Sequence, residues 1–253
     1  NYMQSLKTVA SWSKDIGING IQAMSIEQAR MYLDYRAEIV GQKALDMERQ
    51  AIQAMMHFNG KLQPKQTLYR VKSLLEEIKR SRAYTPEQAN AISQRQTVKH
   101  ELATQLAYAA GLRASERPPN NRPALDSKWQ GRSGELYTVV GKGGLIRHVL
   151  IPNHLVVQLE AKKLKQPITV TDREINYLQH YDIGGGKKWS DSFSRASNRT
   201  LLFSTGAHGL RHSYAQERMV ELHALGFKYK TALETVSQEM GHFRAEITMV
   251  YLS

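Results

Sequence analysis

Residues 208–219 read HGLRHSYAQERM. His208 and Arg211 stand three apart, and positions i and i+3 share one face of a helix. His212 follows the arginine directly, and its neighbours Ser213, Tyr214 and Ala215 have the character of helix packing, which assigns His212 to structure. An imidazole and a guanidinium on one helical face form either a solvated pair or half of an anion site. A metal site is a poor reading, because the chain has no cysteine and no H-E-x-x-H pattern. The rest of the chain decides between the other two.

The 253 residues suit two domains, and 41% hydrophobic with 23% charged residues is enough apolar material for real cores. The charge is unusual: 35 Lys and Arg face 23 Asp and Glu, a formal net charge of +12. Clustered cations displace counterions from nucleic acid, so a polyanionic partner is expected. An anionic membrane is the rival, but no long basic amphipathic helix with a Trp/Leu face stands out. The lack of cysteine excludes disulfides, thiolate zinc sites and cysteine catalysis. No apolar run approaches the roughly 20 residues that span a bilayer. A cytoplasmic, nucleoid-associated protein without a membrane partner is the expectation.

Residues 1–80 carry helical periodicity. Ser25 with Gln28 forms a capping-box start, a second helix covers about 43–58 and stops at Asn59-Gly60, and LYRVKSLLEEIK (68–79) spaces Leu68, Val71, Leu74, Leu75 and Ile78 as a third. KRSRAYTP (79–86) reads as a basic linker, with Thr85 as N-cap, Pro86 at N1 and Gln88 at N3 of the next helix. The domain boundary is placed near residue 84. Beyond it, 96–111 is helical and stopped by Gly111, and ERPPNNRP (116–123) is irregular. ELYTVVGKGGLIRHVLIP (135–152) is the one clear β segment, a hairpin with Lys142 at its tip. Helices are expected at about 154–165 and 171–181, then a flexible basic stretch (182–198) leading into a short helix, and helix again over 208–253. The fold class is therefore mainly α with a small antiparallel sheet: a helical N-terminal domain (1–84) and a mixed α/β domain (85–253).

Three further signals accompany the opening stretch. In AAGLRASE (109–116) a helix stops at Gly111, Arg113 follows, and Glu116 can orient its fork toward a phosphate. Lys142 in GKGG is a flexible cation; the P-loop pattern is absent. In MGHFRAEITMVY (240–251), His242 follows a glycine and Tyr251 comes nine positions later. Alone, each has a plain structural explanation.

Their order is more specific. Arg, Lys, His-x-x-Arg, Gly-His and Tyr, spread over about 140 residues, resemble the tyrosine recombinase or phage integrase family across the whole of 85–253. LAYAAGLRASE is similar to its first arginine box, AHGLRHSYA to its second, and SQEMGHFRAEITMVY to the third with the terminal nucleophile. The resemblance implies a SAM-like core-binding domain before the catalytic domain, together forming a clamp on duplex DNA. It implies metal- and ATP-independent cleavage and rejoining of DNA through a 3′-phosphotyrosine, with no cofactor. Tyr251 would be the nucleophile, Arg113 and Arg211 the phosphate forks, and His208 the base. His242 would donate to a non-bridging oxygen, Lys142 would protonate the leaving 5′ oxygen, and Glu116 would orient Arg113. It also implies a homo-tetramer on two duplexes at a specific recombination site, a mobile-element origin, and possible accessory DNA-bending or directionality proteins. A catalytically silent relative, a type IB topoisomerase-like enzyme and a basic helical scaffold are the alternatives. Two departures stand out: Arg117-Pro118-Pro119 follows the first box, and Met240 replaces the common leucine.

Overall fold

A computed structural model of the chain describes residues 2–75, 81–116, 131–141 and 144–253. The chain divides into two compact units, Asn1–Lys79 and Arg80–Ser253.

The first unit holds α1 (Tyr2–Asp15), a 3₁₀ turn (Ile21–Ala23), α2 (Ile26–Ala37) and α3 (Gln42–Phe58). The expected capping box starts α2: Ser25 Oγ accepts from the Gln28 amide and Gln28 Oε1 accepts from the Ser25 amide. Helices α1 and α2 pack on α3 around Val9, Tyr32, Leu33, Leu45, Ile52 and Met56. Buried Glu48 is fully answered, accepting from Tyr32 Oη at 2.8 Å and from Arg36 Nε and Nη2 at 2.8 and 2.7 Å.

The helix expected over 68–78 does not form in its described part. Residues 66–73 run without helical hydrogen bonds, and the following Leu74 and Leu75 are exposed. Side chains of α3 outcompete the local ladder here. Gln53 Oε1 accepts from the Leu68 amide at 3.0 Å, while Gln42 accepts from the Ser73 amide and donates to the Val71 carbonyl. Leu68 and Val71 still reach the core, which is why their spacing imitated a helix. Ile78 lies outside the described residues.

The second unit runs α4 (Pro86–Gln94), α5 (Val98–Ala110), β1 (Glu135–Val140), β2 (Ile146–Ile151), α6 (Asn153–Glu160), β3 (Lys163–Asp172), β4 (Ile175–Tyr181), α7 (Gly186–Leu201), α8 (Gly209–Ala224), α9 (Tyr229–Glu239) and α10 (Ala245–Met249). Among the described residues the strands make two antiparallel pairs, β1–β2 and β3–β4. Thr85 and Gln88 form the expected capping box on α4 with Pro86 at N1. Helix α5 is central, packing on α4, α6, α7, α8 and β2, and it stops at Gly111 in the left-handed region. One core joins α4, α5, β1, β2, α6 and α7; a second joins α8, α9 and Tyr251.

The expected hairpin is present, with Val139 opposite Arg147 and its loop closed by the Gly141 amide on the Leu145 carbonyl at 2.7 Å. The helix expected over 171–181 is a correction: those residues belong to the β3–β4 hairpin, and α6 ends at Glu160. Ile168 to Thr171 are all β-branched and favour a pleated strand. The turn pair Arg173 and Glu174 adopts φ of 51° and 65°, as a two-residue hairpin loop requires, without the usual Asn-Gly signal. Helix α7 is also longer than expected, with 16 residues.

Candidate active site

Three chain segments converge at the start of α8: the loop after α5, strand β2, and the stretch from the end of α9 to Tyr251. His208 is the N-cap of α8, and Arg211 sits one turn in, wholly buried. Arg211 Nη1 donates to the Gly111 carbonyl, and Nη2 donates to the Met240 carbonyl at 3.0 Å. Nη2 also lies 3.1 Å from His242 Nε2, and the buried Nε–H has no acceptor among the described residues. Burial, then the charges of Arg113 and Arg147, pull the guanidinium down to about 10.

Arg113 follows α5 at the same carbonyl turn. Glu116 Oε1 accepts from its Nη1 at 2.6 Å and Oε2 from its amide at 2.8 Å. The other edge of the fork, Nη2, reaches 3.5 Å from the Gly241 carbonyl. The Arg113 side chain keeps 26% exposure, so it faces an opening.

Glu116 is almost fully buried. Burial would raise its carboxyl, but the charge and hydrogen bonds of Arg147, with help from Arg211 and the Arg113 amide, overcome this and hold it at about 2. Arg147 is a site residue that the sequence reading missed. Its Nη2 donates to Glu116 Oε2 at 2.6 Å and to the Gly111 carbonyl at 3.1 Å, and its Nη1 donates to the Glu239 carbonyl. The available signal was a charge on β2 two residues before Val149, on the face that is buried where the strand alternates, Ile146 to Val149. Three guanidiniums therefore surround one carboxylate that bonds two of them, Arg113 and Arg147, leaving an excess of positive charge beside the opening.

Tyr251 closes the site. Its hydroxyl lies 3.0 Å from His208 Nε2, and its carbonyl accepts from Gln216 Nε2 at 3.1 Å. The ring is flanked by His212 and His242, with centroids at 4.7 and 4.8 Å, and by the Arg211 guanidinium at 5.7 Å. His212, read as structural, is thus a wall of the tyrosine's slot. His242 Nδ1 lies 3.0 Å from Thr248 Oγ1, a second partner no sequence signal announced. Because Arg211 can only donate, His242 Nε2 accepts and Nδ1 carries the proton.

All three histidines are held neutral. Burial and then the Arg211 charge lower His208 to about 4, although its ring is open to solvent on one side. Burial and then Arg82 lower His212 to about 4, and burial with Arg211 and Arg113 lowers His242 to about 3. Neutral His208 can accept a proton from the adjacent phenol.

Six of the seven residues singled out from the sequence thus lie in one cluster: Arg113, Glu116, His208, Arg211, His242 and Tyr251. Lys142 lies outside the described residues.

No protein-family model matches the sequence, and no curated protein sequence does. Solved structures do match. XerH site-specific recombinase bound to difH substrate aligns with TM-score 0.61 and 14% identity, over 100% of this chain and 74% of that one. The Tn1549 transposon integrase in complex with transposon right end DNA aligns with TM-score 0.60 and 16% identity, over 100% and 88%. The lambda integrase tetramer bound to a Holliday junction aligns with TM-score 0.63 and 14% identity, over 100% and 70%.

The chain has the tyrosine recombinase fold. The helical first unit is included in that likeness, since the alignments run over the whole chain. No helix among the described residues is long and apolar enough to cross a membrane.

Proposed function

We propose that the chain is a site-specific DNA recombinase that cleaves and rejoins strands through a 3′-phosphotyrosine. The observation that carries this reading is the 3.0 Å contact of Tyr251 Oη with neutral His208, beside two arginine forks. Attack by the Tyr251 oxygen needs an acceptor for its proton, and His208 Nε2 is within reach. His208 Nε2 takes the phenolic proton as Tyr251 Oη bonds to phosphorus. The bond from phosphorus to the 5′ oxygen breaks, and that oxygen takes a proton, for which Lys142 is the proposed donor. The covalent bond stores the energy of the phosphodiester, and reversal with a new 5′ hydroxyl rejoins the strand.

Arg113 and Arg211 serve the developing charge on the non-bridging oxygens. Preorganised donors of this kind contribute about 3–4 kcal/mol each. The excess of positive charge is matched to a phosphodiester that gains charge in the transition state. With Arg211 Nη2 turned from it to the phosphate, neutral His242 takes its other tautomer: Nε2–H donates to a non-bridging oxygen while Nδ1 accepts from Thr248 Oγ1.

Residues 1–84 are proposed as the core-binding domain and 85–253 as the catalytic domain, both contacting DNA. The lambda integrase tetramer on a Holliday junction supports a tetramer on two duplexes, and the transposon integrase supports a mobile-element origin. Accessory DNA-bending or directionality proteins belong to the same reading.

The test is covalent trapping. Random-sequence duplexes are enriched for binding, nicked so that the short fragment bearing the freed 5′ hydroxyl diffuses away, and run with protein on a denaturing gel. The expected result is a protein–DNA adduct at one sequence with the natural chain, and none with Tyr251→Phe, which still binds. Adducts with no sequence preference point to a topoisomerase-like enzyme. No adduct from the natural chain on its enriched site overturns the proposal.

A further inference from the structure

Arg147 occupies a place that packing alone does not explain. It rises from β2 into the space between the ends of α5 and α9 and is 4% exposed. Its acceptors are the same groups that hold the two proposed phosphate forks. Glu116 is shared between Arg147 and Arg113, at 2.6 Å each. The Gly111 carbonyl is shared between Arg147 and Arg211. Its remaining donor goes to the Glu239 carbonyl, one residue before Met240, whose carbonyl accepts from Arg211.

We propose that Arg147 is a positioning residue that fixes both phosphate forks through these shared acceptors. The inference rests on reading the cluster as a phosphoryl-transfer site.

Two consequences support it. First, a carboxylate that served Arg113 alone would neutralise it. Divided between two guanidiniums, Glu116 orients Arg113 while leaving more of its charge for an incoming phosphate. Second, Gly241 has a reason that His242 does not supply. At φ 68° it places a would-be Cβ 2.7 Å from Arg147 Cδ, and its carbonyl lies 3.5 Å from Arg113 Nη2. The Arg147 stem passes over Gly241, so the third box is shaped around an arginine of the hairpin.

The test uses Arg147→Lys in the full chain, which keeps the charge and loses the fork. Adduct formation is measured in a single turnover on the enriched, nicked duplex, and DNA affinity is measured alongside. A displacement of reacting groups by about 1 Å costs on the order of 10²-fold in rate. The expected result is a loss of about that size in the cleavage step with DNA affinity nearly unchanged. A second substrate carries a methylphosphonate at the scissile position, which removes the charge the forks address. On it the Arg147→Lys loss shrinks markedly. An equal loss on both substrates, or no loss on either, overturns the inference. If Arg147→Lys fails to fold, as a thermal melt would show, the neutral pair Arg147→Gln with Glu116→Gln takes its place, read against Glu116→Gln alone. There Arg147→Gln adds a further loss on the phosphate and little on the methylphosphonate; equal additions on both, or no addition, overturn the inference. A natural chain that forms no adduct defeats the proposed function itself, whereas an intact Arg147→Lys rate defeats only the role of Arg147.

Discussion

The Tyr251 hydroxyl lies 3.0 Å from His208 Nε2, though 43 positions separate them in the chain. The helix start at His208 and the end of the short α10 turn are brought together by the packing of α9 on both α8 and α10. General base catalysis of this kind contributes about 10²–10⁴-fold. His208→Asn is therefore expected to slow single-turnover adduct formation by that range while leaving DNA affinity within a few-fold. Full-rate cleavage by the variant would remove His208 from the proton path.

Acid should loosen the site before it loosens most proteins. His208 and His212 are held at about 4 and His242 at about 3, against an ordinary value of 6.5. A lowered histidine contributes its stability above its unfolded value, and that contribution is lost as pH falls from about 6.5 toward 4, where the unfolded chain binds more protons. Denaturant midpoints measured from pH 7 to 4 should fall through this window. His212→Gln, which cannot titrate, should flatten the slope. An unchanged slope would mean that the solvent already screens these rings.

Much of this site is legible in the sequence, and the gaps have physical causes. His208, Arg211, His242 and Tyr251 are readable because their types and order resemble the boxes of the tyrosine recombinase family. Glu116 is readable because it acts on Arg113 three residues away. Arg147 acts on groups far along the chain, and only a charge on β2 hinted at it; Thr248 lies six positions from His242, but a lone threonine carries no mark of its role. The β3–β4 hairpin escaped notice because Arg173 and Glu174 adopt positive φ without the glycine or asparagine that normally marks such a turn. The apparent helix at 68–78 failed because its amides and carbonyls found side chains, Gln42 and Gln53, that outbid the local ladder. Apolar spacing records which residues reach a core, and an extended segment that dips twice into one can match a helix by chance.

Glu116→Gln should be costly in a specific way. It leaves Arg113, Arg147 and Arg211 facing one another without a carboxylate, and breaking a buried pair costs about 3–5 kcal/mol. The native carboxyl is lowered to about 2 from 4.5, so its contribution is present above about 4.5 and is lost as pH falls toward 2. The variant should be less stable at pH 7 by that amount in urea unfolding, and the gap to the natural chain should narrow on acidification through the same window. A gap that stays constant from pH 5 to 2 would show that the loss is one of packing and not of charge.

Gly111 carries two demands at once. Its φ is 58°, where an alanine costs about 1–2 kcal/mol, and a Cβ there would sit 2.8 Å from the Tyr214 ring. Tyr214 cannot retreat, because its hydroxyl donates to buried Glu239 at 2.8 Å and Arg132 lies over its ring at 5.1 Å. Overpacking of this kind costs about 1–3 kcal/mol. Asparagine tolerates the left-handed region better than alanine but brings the same Cβ. If the contact with Tyr214 dominates, Gly111→Asn and Gly111→Ala destabilise equally in thermal unfolding. If backbone strain dominates, the asparagine variant is clearly milder. The pinned ring favours the first outcome. Both variants should also lose cleavage activity beyond their loss of stability, because the Gly111 carbonyl they displace holds Arg211 and Arg147 together. A folded Gly111→Ala protein that cleaves at the natural rate would separate that carbonyl from the alignment of the two arginines.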